Sequence, residues 1–126
     1  MTEEYKIKTF KDLEAWKEGH QLVLMIYIVT KMFPKEESFC LTSQLRRAIV
    51  SYTSNVAEGF SRRSSKDKAH FYTMALGSLT EVQSQLEIAK DVEYIDVMTF
   101  TKLNNQAIII HKITNGLIKS VKMRRN

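Results

Sequence analysis

The chain has 126 residues, 44% of them hydrophobic, which suits one domain around one core and leaves no room for a second. Nineteen basic residues against fourteen acidic ones give a net charge of +5, and a lone Cys40 excludes an internal disulfide. One proline and four glycines give few places to turn sharply, which excludes a sandwich of many short strands and favours long helices.

Thr9 with Asp12 three residues on reads as a capping box. Leu13, Trp16, His20, Val23, Tyr27 and Thr30 then recur at helical spacing until Pro34 stops the run, predicting a first helix over residues 10–33. Because Leu22 to Val29 is apolar all round, this helix is expected to be covered on more than one side. That run is too short to span a bilayer and the first residues show no basic-then-apolar leader, so a cytoplasmic protein with no membrane contact is expected.

Ser38 or Thr42 is placed to cap a second helix over 41–58, with Leu41, Leu45, Ala48, Tyr52, Asn55 and Gly59 as its seam. Gly59 is expected to close that helix in the left-handed conformation, leaving Phe60 to Arg63 as a basic turn. Ser64 or Ser65 then caps a third helix over 65–92, with Phe71, Ala75, Leu79, Val82, Leu86 and Ala89 facing inward. Gly77 and Ser78, small and mid-helix, are expected to admit another backbone closely.

Asp96 or Thr99 begins a fourth helix over 99–122, carrying Phe100, Leu103, Ala107, Ile110, Thr114, Leu117 and Val121. Short links between four helices favour an all-α, up-down-up-down antiparallel four-helix bundle spanning 1–126. Ile108, Ile109 and Met74 add apolar surface beyond what one bundle needs. A homo-oligomer is therefore expected, sedimenting as a multimer at micromolar concentration.

No residue set points to a reaction. Asp67 to His70 is one copy of a carboxylate and histidine at helical spacing, where a di-iron bundle needs paired Glu-x-x-His motifs, and Cys40 has no base beside it. No catalytic residue, metal or cofactor is expected. Asn55 on the seam and Glu58, one turn before Arg62, read as a polar network that fixes the helix end. Tyr52, Tyr72 and Phe60 have the aromatic character of base-stacking residues, but their seam spacing favours the core.

Charge is uneven. Residues 35–63 carry five basic and three acidic groups, 64–95 three and five, and 96–126 six and one. Arg62, Arg63 and the start of the third helix suggest an anion pocket; Arg46, Arg47 and the tail residues Lys119, Lys122, Arg124 and Arg125 are further candidates for phosphate contact. Nucleic-acid binding through phosphates, with RNA favoured, is the expected function. The alternative is a protein-interaction scaffold whose positive charge only aids encounter.

Phe10, Leu13 and Trp16 in FKDLEAW, Ile26-Tyr27 before Phe33-Pro34, and Leu41, Gln44, Arg46-Arg47-Ala48 and Ser51 begin a longer pattern. Asn55-Val56-Ala57-Glu58-Gly59, Arg62, Ser64, Phe71, Ala75, Gly77-Ser78, Glu81, Leu86 and Ala89 complete it. Over residues 10–95 this resembles the small four-helix bundle proteins encoded in intervening sequences of large-subunit (23S) ribosomal RNA genes. Gly19 departs from the alanine usual there, and Cys40 from a glycine. The resemblance implies a homopentamer and kinship with accessory proteins of diversity-generating retroelements, which bind nucleic acid and a reverse transcriptase. With Gln44 and Glu81, it extends the expected structural polar network to Gln44, Asn55, Glu58, Gly59 and Glu81.

Overall fold

The computed structural model describes residues 7–124; residues 1–6 and 125–126, and with them Arg125, lie outside the described residues. Among the described residues there are four helices and no strands: α1 (Glu14–Thr30), α2 (Leu41–Ser61), α3 (Ser65–Asp91) and α4 (Val97–Lys122). α1 packs on α2 and α4, and α3 on the same two, around one core that includes Leu22, Ile26, Leu45, Ile49, Val56, Leu79, Leu86, Leu103 and Ile110.

The termini of these helices follow from local chemistry, and several differ from expectation. Thr9 and Asp12 do form a reciprocal capping box, but it closes a separate 3-10 turn, Phe10–Asp12, so α1 starts only at Glu14. α1 also stops at Thr30 rather than at residue 33. Neither Ser38 nor Thr42 caps α2. Its first N–H, at Leu41, instead donates to Glu37 Oε1 at 3.1 Å, and Tyr94 donates its hydroxyl to Glu37 Oε2 at 2.8 Å, so one carboxylate caps a helix and ties two loops together. Ser64 caps α3 by accepting from the Asp67 N–H, and Asp96 caps α4 by accepting from Thr99.

The seam of α1 is rotated from the expected one. Ala15, Gly19, Leu22, Ile26 and Thr30 are buried, while His20 and Tyr27 are exposed and Trp16 is half-buried, stacked on His20 at 4.7 Å. A helix that is apolar all round does not reveal its inner face by hydrophobicity; close approach decides it. A Cβ on Gly19 would lie 2.4 Å from Tyr52 Cε2, so the missing side chain is what lets the Tyr52 ring lie against α1.

Gly59 plays the same part against α3. No glycine among the described residues has a positive φ, and α2 runs on through Gly59 to Ser61. A Cβ at Gly59 would lie 2.6 Å from Tyr72 Cε1, so this glycine seats an aromatic ring and does not end the helix. Gly77 was the expected point of close approach, yet a Cβ there would meet nothing within 4 Å. On α3 it is Tyr72, not Phe71, that fills the core.

Tyr52 is fully buried and shares a 2.6 Å hydrogen bond with Thr114, whose hydroxyl donates to Ile110 O at 2.7 Å. Burial, only partly offset by that bond, pushes the Tyr52 phenol up to about 12 from its ordinary 10.0. The folded value is the higher one, so the stabilisation is whole below pH 10 and disappears as pH rises from 10 to 12. We expect a loss of about 3 kcal/mol across that window, at roughly 1.4 kcal/mol per unit. Urea unfolding at stepped pH would show it, and Tyr52→Phe should reduce the slope, leaving the part that comes from Tyr72, raised by burial, and Tyr94, raised by its hydrogen bond to Glu37.

Candidate functional site

The basic residues singled out from the sequence separate into two groups, at the two ends of α2. From Arg47 to Arg62 is fifteen residues, about 22 Å along a helix rising 1.5 Å per residue.

At the first end, Arg46 and Arg47 project about 100° apart, and their fates differ. Arg46 turns inward: its Nε donates to Thr30 Oγ1 at 2.9 Å, its Nη2 reaches toward Tyr27 O at 3.5 Å, and its guanidinium lies 4.6 Å from the Tyr27 ring centre. A cation at the carbonyl end of α1 opposes the partial negative charge there, so Arg46 is a structural cap. Arg47 is exposed.

At the second end the turn Arg62 to Ser64 is only three residues long and is held from both sides. Lys68, from the first turns of α3, donates to Phe60 O at 2.7 Å and to Gly59 O at 3.4 Å. It thereby caps the carbonyl end of α2, and its ammonium stands 5.4 Å from the Phe60 ring centre. Burial, and after it the neighbouring Arg124 charge, pushes the Lys68 ammonium below its usual range. Arg62 pairs with Glu58 at 2.7 Å and lies over the Phe71 ring at 4.6 Å. Both partners are half exposed, so this pair contributes less than about 1 kcal/mol and only partly neutralises Arg62.

The end of α4 arrives beside this turn. Ser65, Lys66, Ala69, His70 and Thr73 of α3 and Lys122 and Arg124 beyond them line a cleft of about 480 Å³. Three cationic side chains and a histidine thus converge where no carboxylate lines the wall. Arg63, Lys66, Lys119, Lys122 and Arg124 have no ion-pair partner among the described residues. A surface concavity walled by one sign of charge concentrates counter-charged ligands. Lys66 and His70 were not among the expected site residues, because only the meeting of α3 and α4 makes them neighbours of Lys122 and Arg124.

The expected polar network is divided. Gln85 Nε2 donates to Gln44 Oε1 at 3.4 Å and to Glu81 Oε2 at 3.3 Å, so Gln85, itself 6% exposed, joins these two. Its spacing of four from Glu81 was the available sequence signal. Asn55 is half-buried and bonds back to Ser51 O at 2.9 Å, within its own helix. Glu58 serves Arg62, and Gly59 packs on Tyr72. Of the aromatics, Tyr52 and Tyr72 are buried and so cannot stack on a base, while Phe60 lies half-buried beside Lys68.

Among the described residues no group of three His, Cys, Asp or Glu could hold a metal ion. None of their helices is long and apolar enough to cross a membrane.

A family profile described as 23S rRNA-intervening sequence protein matches residues 11–116. No curated protein sequence matches the chain. A crystal structure of a protein of unknown function from the S23 ribosomal protein family of Bacteroides thetaiotaomicron superposes with a TM-score of 0.77 at 23% identity, covering 83% of this chain and 98% of that one. At that identity the likeness speaks for the fold alone.

Proposed function

Since the chain belongs to the 23S rRNA-intervening sequence protein family, we propose that it is a non-enzymatic, cytoplasmic nucleic-acid-binding protein that holds RNA by its phosphates. The observation that carries this reading is the cleft lined by Lys66, His70, Lys122 and Arg124, with Arg63 in the turn just before α3 and Lys119 three residues before Lys122 on α4. Phosphate contacts by unpaired cations release condensed counterions and carry no base preference. We further propose self-association that covers Leu24, Ile28, Ile108 and Ile109, which stand exposed on α1 and α4. The pentamer and the kinship with retroelement accessory proteins rest on the sequence resemblance.

Filter retention of a short structured RNA across a salt series tests the reading. With about four phosphate contacts, log K is expected to fall with log salt at a slope of about −3 to −4. A flat dependence, or no retention at low ionic strength, would defeat it. The scaffold alternative draws support from Met32, Val97 and Met98, exposed near the opposite end of the chain's helices. A stoichiometric protein partner surviving nuclease treatment would favour that alternative.

A further inference from the structure

We propose that the groove between the end of α1 and the start of α2 receives one unpaired nucleobase, stacked on Phe39, with Arg47 holding the adjoining phosphate. This rests on the nucleic-acid reading above and adds to it a selection for unpaired strands, which the basic cleft alone does not supply.

The groove is open to solvent, has a volume of about 420 Å³ and is lined by Tyr27, Phe39, Ser43, Arg46, Arg47 and Val50, among others. That size falls within the roughly 300–1,000 Å³ of small-molecule pockets. Its floor is fixed, because Arg46 is committed to Thr30 and lies against the Tyr27 ring. Its rim is fixed too. Phe39 sits between the Lys35–Glu37 turn and α2, where Cys40 N donates to Glu37 O at 2.9 Å, and Glu37 is itself held by Tyr94 and the Leu41 N–H.

On this anchored segment the Phe39 side chain is 95% exposed. A whole phenyl ring in water gains by being covered, and a planar ring covers it best. Arg47, one residue round from Arg46, is exposed and has no ion-pair partner among the described residues. No carboxylate lines the groove, since Glu37 is turned to Tyr94.

An apolar ring beside an unneutralised guanidinium suits a nucleotide better than a basic or neutral peptide. Every base presents a π-face for the phenyl, the guanidinium meets the phosphate, and the Ser43 hydroxyl can bond a base edge. A base inside a duplex is already stacked on both sides and cannot enter. The groove therefore discriminates by pairing state, while the cleft some 22 Å further along α2 grips any phosphate backbone.

The experiment uses the full chain and two probes at low ionic strength: a single-stranded RNA carrying one 2-aminopurine, and a fully paired duplex of equal length. The parent protein is expected to quench the 2-aminopurine and to prefer the single strand. Phe39→Ala should weaken single-strand binding about tenfold and abolish the quench, with duplex binding unchanged. Arg47→Gln should weaken the single strand less. Both side chains are exposed, and unaltered circular dichroism would confirm that the variants fold. If Phe39→Ala binds both probes as the parent does, the base site is overturned and the groove falls to a protein partner, while the phosphate reading stands. If it weakens both probes equally, the selection for unpaired strands is overturned. If the parent binds neither probe, the nucleic-acid reading itself fails.

Discussion

Tyr52→Ala is expected to lower the unfolding free energy by about 3–5 kcal/mol, the range for deleting a buried aromatic ring. A domain of this size has only about 5–15 kcal/mol in total, so the variant should sit near the edge of folding. The ring is fully buried, lies against Gly19 of α1 and bonds to Thr114 of α4, so its loss loosens three helices together. Thr114 keeps its bond to Ile110 O, which leaves the cavity as the main cost. A coupled test follows from the 2.4 Å separation. In the parent, Gly19→Ala forces its new methyl into a ring that cannot retreat, costing about 1–3 kcal/mol against roughly 1 kcal/mol gained in helix propensity. With Tyr52→Ala already present the ring clash is gone and only Thr53 Cγ2, at 3.2 Å, still presses on the new methyl, so the same change should cost much less than in the parent. Urea unfolding of the four proteins would measure the interaction energy, and additive effects would contradict the packing described for α1.

Reversing three charges in the cleft, Lys66→Glu with Lys122→Glu and Arg124→Glu, is expected to abolish measurable RNA retention at salt levels where the parent binds. Neutralising the same residues to glutamine gives the graded version. Each lost phosphate contact removes about 0.7 to 0.9 from the slope of log K against log salt, so the triple variant should be shallower by about 2 to 3. These three side chains are exposed and make no ion pair among the described residues, so the melting temperature should stay near that of the parent. Arg46→Gln is the informative contrast. It should destabilise the α1–α2 end by about 1 kcal/mol through lost capping while leaving the salt slope nearly unchanged, because its guanidinium serves the end of α1. A slope unaltered in the glutamine triple would remove the cleft from the interface.

The number of helices, their approximate limits and the inward face of α4 were all legible in the sequence, because apolar spacing there is regular and interrupted by polar residues. Leu103, Ala107, Ile110, Thr114 and Val121 are buried as expected. α1 was misread because Leu22 to Val29 offers apolar residues in every direction; the informative signal was the pair of small residues Ala15 and Gly19, one turn apart. Gly59 was misread as a stop because a glycine near a basic turn is commonly a C-terminal cap. Only the position of Tyr72 shows that it is a seat for a ring. For the cleft, charge clusters pointed to Lys122 and Arg124, which line it, and equally to Arg62 and Arg63, which do not. They could not disclose that Lys66 and His70 complete the cleft, that Lys68 and Arg46 are helix caps, or that Phe39 stands beside Arg47, since each depends on residues far apart in the chain.

The turn between α2 and α3 has a consequence for how a ligand must behave. It is three residues long, with Ser64 tied to Asp67 and Lys68 clamped onto the preceding carbonyls, so the cationic side chains stand on backbone that has almost no slack. Loops that remodel themselves around a partner are not available there. On the reading proposed above, the adjustment belongs to the polymer: a pliant, kinked or frayed stretch can bring its phosphates to these fixed positions, whereas a stiff, straight one must bend at its own expense.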